Sequence, residues 1–287
     1  MLAVAAPYAA WAQAALTEVL ILGRRAAVFP RLAWHRDARC SIREIWSRAA
    51  ASRAVVGVRD ALGQAAKIES GGRYTLVQVG GERFWIPAGD YPALLEMIEE
   101  RAHDIYGVES RLGVRAGDIV RDCGANIGAI ARQALQAGAK LVVAVEPGPD
   151  ALVCLRRNLA TEIAAGRAIV YPKGVWDKDA VLELTTGDHL ASTASSVAID
   201  RGKHGVKIPV TTIDNLVAEL NLPRVDFIKM DIEGAEAQAL AGAVRTVERF
   251  RPRMAIALEH RPSDVETLPR LAARLWPGCA TRAPVKI

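Results

Sequence analysis

Residues 118–128 read DIVRDCGANIG, a short strand followed by a loop with two glycines and the start of a helix. Gly124 and Gly128 lack a Cβ atom, so the backbone can turn tightly there and approach a ligand closely. The helix that follows directs unpaired N–H groups at the same place. Strand, glycine loop and helix in this order predict the first unit of an α/β sheet with a ligand at its loop.

Apolar strands and helices alternate from this unit to the end of the chain. The predicted strands are 118–123, 141–145, 168–171, 181–184, 225–230 and 254–258, and the predicted helices are 127–137, 150–160, 212–220, 235–250 and 264–275. Uninterrupted apolar strands separated by helices predict a doubly wound, mostly parallel sheet of the Rossmann-like α/β class. We expect this core to occupy residues 108–287.

The chain before the core divides into two parts. Residues 1–70 carry ten basic and five acidic side chains, and they are predicted to form a basic helical extension. Residues 71–107 are predicted to form a hairpin, turning at Gly80-Gly81, and a helix after Asp90. The extension could pack on the core, form a dimer or contact an anionic membrane surface, and the sequence leaves these roles open.

Composition excludes several classes of protein. Hydrophobic residues make up 51% and charged residues 24% of the 287 residues, which indicates a globular chain. The four cysteines form no C-x-x-C pair, so a zinc finger or a disulfide framework is not expected and a reducing, cytoplasmic location is. Residues 71–287 are neutral overall, which argues against a nucleic-acid partner.

Residues around the glycine loop indicate which ligand it holds. Glu146 ends the second core strand, where an acidic side chain can accept hydrogen bonds from both hydroxyls of a ribose. Asn126 stands where pyrophosphate cofactors favour a glycine, and Asp122 would repel a pyrophosphate but attract a cation. The pattern favours the sulfonium of S-adenosylmethionine over NAD.

Four stretches resemble the FkbM family of S-adenosylmethionine-dependent methyltransferases. They are DCGANIG (122–128), VVAVEPGP (142–149), TTIDNL (211–216) and FIKMDIEGAE (227–236). The resemblance implies a class I methyltransferase that methylates a hydroxyl of a small molecule such as a sugar, glycolipid or secondary metabolite. It also implies cofactor-binding roles for Asp122, Gly124, Asn126, Gly128 and Glu146, and one near the adenine for Asp177.

Ionisable residues follow two strands that we expect to be neighbours in the sheet. Lys229 and Asp231 share a face of one strand end, and the next strand ends in Glu259-His260. These side chains should converge on the transferable methyl group. His260 is the first candidate for a base that removes the hydroxyl proton, and Asp231 is the second.

A divalent metal ion is an alternative to a direct base. Asp231, Glu259 and His260 could hold an ion that binds the acceptor oxygen, and their oxygen ligands would suit Mg²⁺ better than Zn²⁺. The polar segment 185–207 is predicted to be a lid over the acceptor. Residues 278–287 are enough for only one strand of the family's closing hairpin, so we expect the final strand to be either missing or supplied by the N-terminal region.

Two other classes of protein remain as alternatives. A nicotinamide-dependent oxidoreductase could use the same fold, although Asp122 and Asn126 disfavour it. A non-catalytic module that keeps the cofactor pocket is disfavoured by the polar segment 229–236.

Overall fold

The chain is described by a computed structural model over residues 66–102, 104–110, 113–185, 205–258 and 260–277. The predictions for residues 1–65, for Glu259, for most of the lid segment and for the final strand lie outside these residues. Among the helices that are described, none combines the length and the apolar character needed to cross a bilayer.

The elements are numbered in chain order within the described residues. The strands are β1 (Ala66–Gly71), β2 (Tyr74–Val79), β3 (Glu82–Pro87), β4 (Ile119–Cys123), β5 (Leu141–Val145), β6 (Ala168–Tyr171), β7 (Gly174–Val175), β8 (Ala180–Thr185), β9 (Gly205–Thr211), β10 (Phe227–Met230) and β11 (Arg253–Ile256). The helices are α1 (Tyr91–Ala102), α2 (Ala129–Gln136), α3 (Pro149–Asn158), α4 (Ala160–Ala164), α5 (Ile213–Glu219), α6 (Glu236–Ala241), α7 (Val244–Phe250) and α8 (Asp264–Leu275).

The core is a five-stranded sheet in the order β11-β10-β4-β5-β6. Every pairing in it is parallel, which confirms the predicted doubly wound α/β class. The chain leaves β4 toward β5 on one side and returns later to β10 on the other. The carboxyl ends of β4, β5 and β10 therefore surround a topological switch point, where ligands bind in open α/β sheets.

Helices cover both faces of this sheet because alternate strand residues point to opposite sides. Val142 and Ala144 of β5 pack in one core cluster with Leu135 of α2. Val143 and Val145 pack in a second cluster, which contains residues of α5, α6, α7 and α8. Burial on both faces explains why these strands are apolar without alternation.

A three-stranded antiparallel sheet, β1-β2-β3, precedes the core. Its turn at Gly80-Gly81 is as predicted, and both glycines have positive φ, as a two-residue hairpin of type I′ requires. The predicted helical extension to residue 70 is wrong at its end, because β1 pairs with β2 as a strand. The Asn158 side chain of α3 hydrogen-bonds both the N–H and the C=O of Trp85 and so joins this sheet to the core.

Two further differences from the predicted elements have clear physical causes. Residues 205–207, predicted as lid, belong to β9, which pairs antiparallel with β8. The predicted helix 235–250 is two helices, α6 and α7, that meet at Gly242. A Cβ atom on Gly242 would lie 2.1 Å from the Trp176 carbonyl oxygen, so the chain passes too close there for a side chain.

Candidate functional site

The glycine loop after β4 is built from left-handed residues. Gly124, Asn126 and Gly128 have φ values of 77°, 50° and 93°. The N–H groups of Gly124 and Ala125 both bond to the Val145 carbonyl, so the loop is fixed to the end of β5. A Cβ atom on Gly124 would lie 1.9 Å from the Asp231 carbonyl oxygen, which ties the loop to the end of β10 as well.

Gly128 has a packing role in the loop, and its contact with a cofactor stays a prediction. A Cβ atom there would lie 2.8 Å from a methyl carbon of Leu155, because α3 crosses directly over it. Gly128 is absent from the lining of the cavity described below. It permits the close approach of two helices and positions the loop indirectly.

Glu146 lies beside the loop, as the sequence predicts. Its Oε2 accepts the N–H of Asn126 at 2.9 Å and its Oε1 accepts the N–H of Gly148 at 2.7 Å. Burial raises the pKa of Glu146 to about 7, although both backbone bonds favour the charged form. The carboxylate therefore gains or loses its proton near neutral pH.

Asp122 lies beneath the loop, and this corrects the prediction that its carboxylate faces the ligand. Its side chain is 1% exposed, and the Lys229 Nζ lies 3.3 Å from its Oδ1. The same Nζ donates to the Gly124 carbonyl at 2.9 Å and sits 5.0 Å from the centre of the Tyr106 ring. Although burial favours neutral Lys229, the charges of Asp122 and Asp231 raise its pKa above the ordinary value. Asp122 thus acts on the loop through Lys229.

Asp231 and His260 converge at the end of β10, as predicted. The Asp231 Oδ1 lies 2.9 Å from the His260 Nε2, and Oδ2 accepts a hydrogen bond from the Tyr106 hydroxyl. Glu233 and Glu236 also contact the imidazole, with Oε2 of Glu233 3.5 Å from Nδ1 and Oε1 of Glu236 3.4 Å from Nε2. We call Asp231, Glu233, Glu236 and His260 the acidic cluster.

The carboxylates of the acidic cluster favour the protonated form of His260, which cannot act as a base. Burial opposes ionisation of His260, but the hydrogen bond to Asp231 and the neighbouring carboxylates raise its pKa to about 9. Burial likewise opposes the charge of Asp231, yet His260 and Lys229 hold the pKa of that carboxyl below its ordinary value. At neutral pH the pair is an imidazolium and a carboxylate, which corrects the expectation that His260 is partly neutral.

Among the described residues, Glu236 joins Asp231 and His260 in a candidate metal site, and the predicted ligand Glu259 lies outside those residues. Asp231, Glu236 and His260 each offer one ligand atom, and these atoms lie within 4.8 Å of one another. Glu233 is left-handed, with φ of 56°, and α6 begins at Glu236.

These groups surround one cavity. Its empty space, including the open mouth, is about 1070 Å³. Its walls include the loop (Gly124, Ala125, Asn126), the strand ends (Glu146, Lys229, Asp231), the acidic-cluster residues Glu233 and His260, residues of α1 (Glu96, Met97, Glu100) and apolar residues of the β7-β9-β8 sheet (Val175, Leu184, Ile208). The α1 residues and Tyr106 were missed because no motif marks them.

Asp177 does not line this cavity. The residue is exposed in the described structure, and its position near an adenine stays a prediction. Trp176 packs against the small cluster of Leu184, Ile208 and Val210, which is the structural role expected of a tryptophan in such a sheet.

Comparison with known proteins identifies relatives of this arrangement. A family model described as the methyltransferase FkbM domain matches residues 122–275. The chain is 29% identical over 194 residues to the 31-O-demethyl-FK506 methyltransferase FkbM of Streptomyces tacrolimicus, and the match covers 58% of this chain and 72% of that protein.

Solved structures give more distant similarities. Methyltransferase FkbM from Methylobacillus flagellatus KT is 19% identical with a TM-score of 0.46, over 80% of this chain. The matched region spans only 55% of that structure's own chain. TYW2 of M. jannaschii, solved in complex with AdoMet, is 20% identical with a TM-score of 0.26, over 36% of this chain and 45% of that one.

Proposed function

This chain belongs to the FkbM methyltransferase family, and on that premise we propose that it transfers a methyl group from S-adenosylmethionine to a hydroxyl oxygen of a small molecule. The acceptor class we propose is a sugar, a glycolipid or a secondary metabolite. Similarity to the 31-O-demethyl-FK506 methyltransferase of Streptomyces tacrolimicus supports transfer to oxygen.

The observation that carries the proposal is the Glu146 carboxylate at the switch point. Each of its oxygens accepts one backbone N–H and keeps a further lone pair for a ligand. Two such acceptors side by side match the two hydroxyls of a ribose. The left-handed loop beside it lets the backbone approach the same ligand without a side chain at Gly124.

Charge on the cavity wall fits a cationic cofactor. Glu96, Glu100, Glu146 and Asp231 line the cavity, and the ammonium of Lys229 is already paired with Asp122. A site with this excess of carboxylates attracts a sulfonium and an α-ammonium and disfavours a pyrophosphate. S-adenosylmethionine supplies a methyl group on a good leaving group, so the main task of the protein is alignment, which can supply about 7–11 kcal/mol.

Asp231 is the residue that we assign to the acceptor hydroxyl. Its ionised carboxylate lines the cavity, and His260 and the Tyr106 hydroxyl fix its orientation. The acceptor oxygen bonds to the methyl carbon while the carbon–sulfur bond breaks and its electron pair stays on sulfur. The hydroxyl proton passes to Asp231 as the oxygen becomes an oxonium, a strong acid that a weakly basic carboxylate can deprotonate. A neutral histidine is therefore not needed.

Calorimetric titration tests the cofactor. The protein should bind S-adenosylmethionine and show no binding of NAD. Glu146→Gln keeps the shape of the side chain but replaces one acceptor oxygen with an NH₂ group, which loses a backbone N–H bond and an acceptor for a ribose hydroxyl, so we expect at least a ten-fold loss of affinity. Glu248→Gln, at an exposed site on α7, is the matched control and should bind as the parent does. Binding of NAD without S-adenosylmethionine would support an oxidoreductase instead.

Product analysis tests the acceptor atom. The protein is incubated with trideuteromethyl-labelled cofactor and a panel of polyhydroxylated sugars and macrolides, and the products are fragmented in a mass spectrometer. The label should appear on an oxygen. A label on nitrogen or carbon would refute O-methylation while leaving the family assignment intact.

A further inference from the structure

Two oppositely charged side chains, one on α1 and one on β10, line the same cavity. We propose that Glu100 of α1 binds the α-ammonium of S-adenosylmethionine and that Lys229 of β10 binds its α-carboxylate. This inference rests on the proposed function and deepens it, because it names the residues that hold the charged end of the cofactor. It also gives a cofactor-binding role to α1, which precedes the residues 122–275 matched by the family model.

The order of the core strands sets the direction of the cofactor. Glu146 follows β5 and Lys229 lies near the end of β10, with β4 and its glycine loop between them. Two strand spacings separate these ends, about 10 Å. The cavity continues from Glu146 across the loop to β10 and α1. A ribose bound at Glu146 therefore leaves this part of the cavity for the sulfur and the amino-acid arm.

One face of α1 forms a wall of the cavity. Glu96, Met97 and Glu100 line it, and their spacing of three and four residues places them on the same side of a helix. Glu96 is exposed, whereas Glu100 is partly buried. Glu100 is therefore the more enclosed of the two carboxylates and the better placed for a bound ligand.

Lys229 brings a positive charge to the same part of the cavity. Its side chain is only 5% exposed, and two of its three N–H groups serve the Gly124 carbonyl at 2.9 Å and Asp122 Oδ1 at 3.3 Å. One N–H is left for a carboxylate of the ligand. Burial opposes the charge of Lys229, but nearby carboxylates, Glu100 among them, raise its pKa above the ordinary value. Glu100 thus lies within electrostatic range of the ammonium.

Side chains of both signs at one place match an α-amino acid group. Its ammonium and carboxylate are attached to the same carbon, so a protein that binds both needs an acidic and a basic group close together. Hydrogen bonds between such charged groups are roughly twice as strong as those between neutral groups. NAD carries no such group, so this end of the cavity also favours S-adenosylmethionine.

Calorimetry with truncated ligands tests Glu100 on the full chain. S-adenosylhomocysteine keeps both charged groups of the arm without the sulfonium, its des-amino analogue lacks only the ammonium, and 5′-methylthioadenosine lacks the arm. We expect the parent to bind S-adenosylhomocysteine tighter than the des-amino analogue by about ten-fold or more. In Glu100→Gln most of this preference should disappear, while affinity for 5′-methylthioadenosine stays the same. Glu99→Gln, on the same helix but outside the cavity lining, should behave as the parent does.

Lys229 is tested through the ligand, because a substitution there would leave Asp122 buried without its partner. The analogue of S-adenosylhomocysteine without the carboxylate should bind about ten-fold more weakly than S-adenosylhomocysteine, in the parent and in Glu100→Gln alike. Equal affinity for the two ligands would overturn the role of Lys229.

A preference for S-adenosylhomocysteine over its des-amino analogue that is absent in the parent, or unchanged in Glu100→Gln, would overturn the role of Glu100. An equal loss of affinity for 5′-methylthioadenosine would overturn it as well, since the substitution would then disturb the whole cavity. If Glu100→Gln fails to fold, Glu100→Ala must give the expected result. Binding of 5′-methylthioadenosine and S-adenosylmethionine without these preferences rejects only this inference, whereas binding of neither rejects the proposed function.

Discussion

Two strand ends flank the glycine loop, and each holds its acidic residue in a different way. At the end of β5, backbone N–H groups of Asn126 and Gly148 bind Glu146. At the end of β10, side chains of His260 and Tyr106 bind Asp231. The first carboxyl has a pKa raised by burial, and the second has a pKa lowered by cationic neighbours despite burial.

Because the two carboxyls are held differently, the ends of β5 and β10 are suited to different functions. A carboxyl held by backbone amides is rigid and keeps lone pairs for a neutral hydroxyl ligand such as a ribose. A carboxyl held by an imidazolium stays ionised and can orient a reacting hydroxyl or an ion. The loop is attached to both sides, since it bonds to Val145 of β5 and packs on the Asp231 carbonyl beyond β10.

Removing the buried ammonium on the β10 side should give the largest effect on stability. Lys229→Met leaves the Asp122 carboxylate buried without its ion-pair partner, and breaking such a pair costs about 3–5 kcal/mol. Urea unfolding measures this loss, and adding Asp122→Asn should recover part of it. Lys173→Met removes a pair of similar length, 3.0 Å to Glu219, at the surface, where solvent screens the charges, so its cost should be far smaller. Equal losses for the two lysines would contradict a special role for the buried pair.

Gly124→Ala tests the attachment of the loop to the β10 side and should have the next largest effect. The new methyl group meets the Asp231 carbonyl at 1.9 Å and also places alanine in a left-handed conformation. Overpacking and backbone strain together predict a loss of about 2–4 kcal/mol and of cofactor affinity.

Gly166→Ala is the matched control for that clash. Gly166 has a φ of 68°, but no atom lies within 4 Å of the added methyl group. Only the strain of about 1 kcal/mol should remain, with cofactor affinity unchanged. If urea unfolding gave the same loss of unfolding free energy for both variants, the close packing of the loop on β10 would not contribute to stability.

The sequence predicted the β5 side more fully than the β10 side. A strand, a glycine loop and Glu146 follow one another locally, so their spacing alone brings them together. The β10 side depends on contacts between distant segments, such as Tyr106 with Asp231, which no local pattern reveals. Asp122 was assigned to the ligand because strand alternation does not show that Lys229 would cover it. Glu236 is likewise brought to the site by a contact with a distant segment, since its Oε1 lies 3.4 Å from the His260 Nε2.

Titration of Glu146 gives the smallest effect and the sharpest distinction between the two sides. The pKa of about 7 means that Glu146 is charged above neutral pH and protonated below it. Acceptance of two ribose hydroxyls needs the charged form, so affinity for S-adenosylmethionine should fall toward ten-fold for each pH unit below 7.

Stability of the free protein should change with pH in the opposite direction. A raised pKa in the folded state contributes stability that is present at low pH and lost as pH rises through 7. Calorimetry and thermal unfolding between pH 6 and 8 measure both trends, and in Glu146→Gln both should disappear. If affinity for S-adenosylmethionine still depended on pH in Glu146→Gln, the titrating group would be another residue. The proposed difference in function between Glu146 and Asp231 would then be contradicted.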